Sequence, residues 1–209
     1  MNPTQTKIKF CGMMSKEDCL AANENRADYV GFVFAPGRKR TVTTESAREM
    51  KSSLLPGIKV VGVFVNETTD VVAGLLKENI IDIAQLHGDE DEAYIKDLRS
   101  KTDKPVIQAI QYSKFPSDEE FLKAIKESTA DMLLIDSGTG CGKTFPWEVI
   151  RRIDREYFLA GGLDPENVSE AIALLHPYAV DVSSGIETDY KKDKAKMAAF
   201  ANAVRKETI

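Results

Sequence analysis

Histidine and cysteine are scarce in this chain, with two and three residues among 209. His87 and His176 are far apart in sequence, and Cys11, Cys19 and Cys141 show no CxxC spacing. The pattern suggests neither a zinc site nor a disulfide framework, so no metal is expected and the setting reads as a reducing one. Excess positive charge is missing as well. A formal net charge of -5 argues against a dedicated nucleic-acid partner. A phosphorylated ligand would have to be held by local donors instead. No apolar run is long enough to cross a membrane, and the first residues, MNPTQTKIKF, lack the apolar stretch of a signal peptide. No membrane partner is expected, and the expected location is the cytoplasm. No dinucleotide-binding glycine fingerprint occurs, so no cofactor is expected either.

What the chain does contain is a recurrent alternation. Short apolar runs predict strands over 7–12, 29–35, 59–65, 80–87, 105–110, 132–136, 157–162 and 179–185. Strands apolar almost throughout suit a parallel sheet covered by helices. Helix signals fall between them. Val168, Ala171, Ile172 and Leu175 form one stripe, which Asp164-Pro165 opens as cap and first-turn proline. Ser117 and Glu120 suit a capping box, and Met197, Phe200, Ala201 and Val204 form the stripe of a last helix. The alternation points to an α/β single-domain (β/α)8 TIM barrel over residues 1–209. An open doubly wound sheet accommodates the same pattern.

In a barrel, function collects at the C-terminal ends of the strands. Two glycine-bearing segments, Ala160-Gly161-Gly162 and Ser183-Ser184-Gly185, follow the seventh and eighth strands. Phosphate-binding barrels place the anion between those two loops, where backbone N–H groups and hydroxyls donate. Two tight turns would have the same composition. Asp136 ends the sixth strand. Period-2 alternation puts it with Leu134 facing into the barrel and Leu133 with Ile135 facing out. A carboxyl at that mouth can act as a general acid, although helix caps use the same residue type. Cys11 ends the first strand on the same face as Lys9. A free cysteine is usually a small buried hydrophobe, but nearby positive charge makes a thiol a base. His87, at the end of the fourth strand, is in position to hydrogen-bond near such a site, whereas His176, before Pro177, reads as structural. The Arg38-Lys39-Arg40 loop is either a solvated basic loop or a partner for an anionic substrate.

Asp136 to Thr144 reads DSGTGCGKT and resembles a P-loop. The match fails at Ser137, where that loop needs glycine, and Pro146 falls inside what would be its helix. A mobile loop over the barrel mouth is the preferred reading.

Taken in order, the motifs resemble those of the phosphoribosylanthranilate isomerases. The series is Lys9-Phe10-Cys11-Gly12 with Glu17-Asp18, Gly31-Phe32-Val33-Phe34-Ala35-Pro36 followed by Arg40, Val61 to Asn66, and Gln85 to Glu90. It continues through Leu134 to Ser137, Gly142 to Phe145, Leu159 to Leu163, and Val180 to Glu187. The resemblance spans almost the whole chain. It implies a TIM barrel that rearranges an aminoaldose to an aminoketose in tryptophan synthesis, with a small-molecule substrate and a monomer or homodimer. It further implies Asp136 as general acid and Cys11 as general base. Arg40 would face the anthranilate ring and carboxylate, and Gly161, Gly162, Ser183, Ser184 and Gly185 would hold the phosphate. Lys9, His87 and Asp181 complete the expected substrate-binding set.

The chain departs from the family pattern at Phe10, Met14, Gln111, Thr139 to Gly142, Pro146 and Tyr190. Two rival readings remain at this level. One is a related barrel isomerase acting on another aminoaldose; that family uses two aspartates, whereas the first strand here ends in Cys11. The other is a non-catalytic binder of a phosphorylated ligand.

Overall fold

The computed structural model describes residues 5–136 and 147–206. Eight parallel strands close on themselves in sequence order: β1 (Lys7–Cys11), β2 (Tyr29–Val33), β3 (Lys59–Phe64), β4 (Ile83–Leu86), β5 (Val106–Gln111), β6 (Met132–Asp136), β7 (Tyr157–Ala160) and β8 (Ala179–Val182). Closure rests on the pairing of β1 with β8, Lys7 to Phe10 against Ala179 to Val182. That pairing rules out the open doubly wound sheet. Several strands are shorter than the apolar runs suggest: Phe34, Ala35, Gly161, Gly162 and Ser183 lie beyond them, and Ser184 and Gly185 belong to a short 3-10 turn, Ser184–Ile186.

Between the strands run α1 (Lys16–Glu24), α2 (Thr44–Ser52), α3 (Thr69–Lys77), α4 (Glu92–Lys101), α5 (Asp118–Glu127), α6 (Trp147–Ile150), α7 (Val168–Leu175) and α8 (Lys194–Lys206). A full capping box starts α1: Ser15 Oγ accepts from Asp18 N, and Asp18 Oδ2 accepts from Ser15 N. Ser117 supplies only its own half of the expected box, accepting from Glu120 N. Regular α7 begins three residues after Pro165. Asp164 Oδ1 takes the N–H groups of Glu166 and Asn167, so the pair builds a preceding turn and the helix starts later than expected. His176 ends α7 in the left-handed conformation, the structural place read for it.

Two cores result from strand alternation. Ile8, Phe10, Val30, Phe32, Leu133 and Ile135 face outward and pack beneath the helices, together with the expected α8 stripe of Met197, Phe200, Ala201 and Val204. Tyr29, Val61, Ile83, Ile107, Leu134 and Phe158 fill the interior. At the N-terminal end Tyr29, Phe158 and Tyr178 plug the barrel, with ring centroids 5.1 and 5.7 Å apart. A repeated device anchors that end. Asp28, Asp82 and Asp131, each just before an even-numbered strand, accept from Ile8, Val60 and Val106 N–H of the preceding odd strand at 2.8–2.9 Å. Each carboxylate satisfies a donor that the ladder leaves over at the strand start.

Candidate active site

With the interior plugged at one end, the polar inward positions are left at the other. A cavity of about 670 Å³ opens there, at the C-terminal ends of the strands. Cys11, Arg40, His87, Asp136, Gly161, Gly162, Asp181, Ser183 and Ser184 all line it. Lys9 and Gly185 are the two expected residues outside the lining. Lys9 lies in the floor, fully buried behind Asp181, and donates to Asp181 Oδ1 at 2.8 Å. Gly185 sits where the β7 and β8 loops touch. A Cβ on it would come within 2.0 Å of the Leu163 carbonyl oxygen, so only glycine permits that approach.

Cys11 ends β1 opposite Gly31 on β2. Any side chain at position 31 would meet Cys11 Sγ at 2.7 Å, and its absence makes room for the thiol. Burial pushes the Cys11 thiol up and the Asp181 carboxylate adds to that, while Lys9 and Lys192 pull it back down. Burial likewise works against the Lys9 ammonium, but Asp181 and Cys11 outweigh it and hold Lys9 above its ordinary value. The floor is thus a buried Lys9–Asp181 pair supporting a thiol on the same inner face.

Across the mouth, His87 Nε2 lies 3.4 Å from Asp136 Oδ2. Gln85, almost wholly buried, reaches His87 Nδ1 with its amide nitrogen at 3.0 Å. With that amide donating, the imidazole carries its proton on Nε2 and directs it at Asp136. Gln85 Oε1 is buried, with no hydrogen-bond partner among the described residues. Val33, Val63, Val65 and Ala160 supply an apolar part of the wall.

The basic loop divides. Arg40 turns inward and gives Nε and Nη2 to the two oxygens of Glu187, both at 2.7 Å. Lys39 stays exposed, with its ammonium 3.8 Å from the Tyr190 ring centroid. Arg38 is exposed at the cavity edge. Sequence reasoning did not single out Glu187 or Lys192, which donates to Glu187 Oε1 at 2.7 Å: Arg40 lies 147 positions from Glu187, and the hairpin that sets Lys192 against Glu187 turns on Asp189-Tyr190, without the glycine that marks such a turn. Among the departures from the family pattern, Phe10 packs edge-on against Phe200 in the outer core and Gln111 lines the cavity. The glycine-rich stretch 137–144, with Cys141, and Pro146 lie outside the described residues. Among those residues, no group of three or more His, Cys, Asp or Glu is arranged to hold a metal ion, and no helix is long and apolar enough to cross a membrane.

The arrangement offers a thiol and a carboxyl on two sides of one cavity, a guanidinium at its edge and two apposed loops with backbone and hydroxyl donors. The chain is similar to known proteins over almost its whole length. A family model described as N-(5'phosphoribosyl)anthranilate (PRA) isomerase matches residues 8–203. An N-(5'-phosphoribosyl)anthranilate isomerase from Thermoanaerobacter sp. (strain X514) is 43% identical over 206 residues, covering 95% of this chain and 98% of the relative. The crystal structure of phosphoribosyl anthranilate isomerase from Thermotoga maritima superposes with a TM-score of 0.86 at 35% identity, over 96% of this chain and 99% of that one. Another crystal structure, of a phosphoribosyl anthranilate isomerase with reduced 1-(o-carboxyphenylamino)-1-deoxyribulose 5-phosphate, has a TM-score of 0.83 at 34% identity, with the same coverage. The chain belongs to the phosphoribosylanthranilate isomerase family.

Proposed function

We propose that this chain is the isomerase of tryptophan synthesis that converts N-(5'-phosphoribosyl)anthranilate, an aminoaldose, into 1-(2-carboxyphenylamino)-1-deoxyribulose 5-phosphate, an aminoketose. The observation that carries the reading is the meeting of Cys11, Asp136, Arg40 and the β7 and β8 loops around one cavity in a family member. The work is done in the cytoplasm by a single domain, as a monomer or homodimer.

Asp136 protonates the ribose ring oxygen. The bond from that oxygen to C1′ breaks as the anthranilate nitrogen lone pair forms the Schiff base. Cys11, as thiolate, takes the proton from C2′ to give an enolamine; a proton from the Cys11 thiol then goes to C1′ while the C2′ hydroxyl gives its proton back to the Asp136 carboxylate, which yields the aminoketose and resets both groups. Substrate and product are isomers, so the cycle needs no oxidant and no net proton. Each positioned proton-transfer group contributes about 10²–10⁴-fold in rate. Burial and Asp181 hold the Cys11 thiol above its ordinary value, and Lys9 and Lys192 offset part of that rise. His87, oriented by Gln85, faces the acid. Arg40 takes the anthranilate carboxylate, Val33, Val63 and Val65 pack on its ring, and the Gly161-Gly162 and Ser183-Ser184-Gly185 loops hold the phosphate.

The test is genetic. Expression of this chain in a bacterium lacking the isomerase restores growth without tryptophan. Failure of a soluble, folded chain to do so would overturn the reading and favour the non-catalytic binder.

A further inference from the structure

Beyond β8 the chain forms a small hairpin, β9 (Glu187–Thr188) and β10 (Lys191–Lys192). Its two-residue turn, Asp189-Tyr190, has positive φ at both positions, 51° and 63°. That turn geometry matches the twist of paired strands but is costly for a tyrosine. It sets Lys192 directly across from Glu187. The Glu187 side chain is 5% exposed and that of Lys192 1%. Two cations therefore share one nearly buried carboxylate: Oε1 receives Arg40 Nε and Lys192 Nζ, and Oε2 receives Arg40 Nη2. Lys192 continues to the Ser183 carbonyl at 3.0 Å and its hydroxyl at 3.4 Å. Lys196 fixes the Glu187 backbone by donating to its carbonyl at 2.7 Å. An unbroken string of polar contacts thus runs from the guanidinium at the cavity edge to the β8 loop.

A pair built only for stability has little reason to be here. Burying charge is expensive, and replacing such a pair by apolar side chains is often neutral or better for stability. The exposed Arg48–Glu78 pair shows what an ordinary surface contact in this chain looks like, with 60% of each side chain open to solvent. Arg40, by contrast, lines the cavity while its partner is buried behind it. Its Nε–Nη2 edge is committed to Glu187, which fixes the guanidinium plane. The sum of one carboxylate and two cations leaves one positive charge at the cavity edge, the sign an anionic substrate needs.

We propose that Glu187 is a positioning residue: it holds the Arg40 guanidinium in the plane that meets the substrate carboxylate and, through Lys192, keeps that contact at a fixed separation from the Ser183 phosphate loop. This rests on the isomerase reading above, and it adds a residue pair that sets how long a substrate the cavity accepts. Tyr190 under the Lys39 ammonium is a second, outer clasp between the same two loops.

The test is steady-state kinetics of the purified full chain with phosphoribosylanthranilate. Glu187→Gln keeps the shape but turns an amide N–H toward the donors. KM should rise about tenfold or more, with kcat changed by less than about threefold. In an Arg40→Ala background the same substitution should leave KM where Arg40→Ala put it, because Glu187 acts through Arg40. An unchanged KM in Glu187→Gln, or an equal further rise in the Arg40→Ala background, overturns the proposal. Should Glu187→Gln fail to fold, Arg40→Lys decides. An ammonium keeps the charge but not the fork, so its KM should approach that of Arg40→Ala, and a wild-type KM would contradict the proposal. No turnover by the wild-type chain would bring down the isomerase reading itself, and this proposal with it.

Discussion

The two ends of the barrel are built from the same eight strands and the same inward-facing alternation, yet they hold opposite kinds of residue. At the N-terminal end Tyr29, Phe158 and Tyr178 close the interior, and Asp28, Asp82 and Asp131 tie odd strands to even ones through backbone N–H groups. At the C-terminal end the inward positions are Cys11, Gln85, Asp136 and Asp181, around open space. One end has almost nothing left to satisfy. The other keeps a thiol pushed up by burial and a buried amide oxygen with no partner among the described residues. The contrast teaches that stability and chemistry are separated along the strand axis, with the Lys9–Asp181 pair at the boundary.

Substitutions at the two ends should therefore fail in different ways. The largest effect is expected at the mouth. Asp136→Asn keeps the shape but has no acid proton to give, so kcat should fall by about 10²–10⁴-fold while the thermal midpoint barely moves; full kcat would mean that another group opens the ring. Phe158→Ala removes the central ring of the plug. It should lower unfolding free energy by about 3–5 kcal/mol in denaturant titration and leave KM unaltered, and a raised KM with unchanged stability would invert the comparison. A smaller loss is expected for Asp82→Ala. It deprives Val60 N–H of its acceptor and should cost about 1.5–3 kcal/mol with no change in kcat.

The smallest effect sharpens the boundary through pH. Although burial opposes it, Arg40 and Lys192 hold the Glu187 carboxyl below its ordinary 4.5. A depressed carboxyl contributes stability that is fully present above the unfolded value and is lost as pH falls through the folded one. Acid unfolding below pH 4.5 should thus be shallower in Glu187→Gln than in the wild type. Parallel curves would show that the pair is not coupled to folding.

Much of this contrast was legible in the sequence, because period-2 alternation is a local property. It placed Leu134 and Asp136 inward, Leu133 and Ile135 outward, and Cys11 on one face with Lys9, all as observed. The α8 stripe was legible for the same reason at the helical period. Closure of the barrel was legible only as the preferred of two architectures that the alternation allows, and β1 meeting β8 across most of the chain decides between them. Contacts between remote residues were hidden. Nothing near Arg40 announces Glu187, 147 positions away, and the acidic anchors before β2, β4 and β6 look like ordinary loop carboxylates until their partners are known. The roles given to Cys11, Asp136 and Arg40 came from an ordered series of motifs, which local spacing alone would not have supplied.

The division of labour is tested most directly at Cys11. Its serine variant keeps size and polarity but lacks a side chain acidic enough to become a useful base at neutral pH. The decisive measurement is kcat of Cys11→Ser on phosphoribosylanthranilate, with the thermal midpoint recorded on the same sample and Cys141→Ser as control. The account predicts a loss of at least about 100-fold with an unchanged midpoint, and an active Cys141→Ser. A Cys11→Ser enzyme within a few-fold of wild type, or an inactive Cys141→Ser, would contradict it.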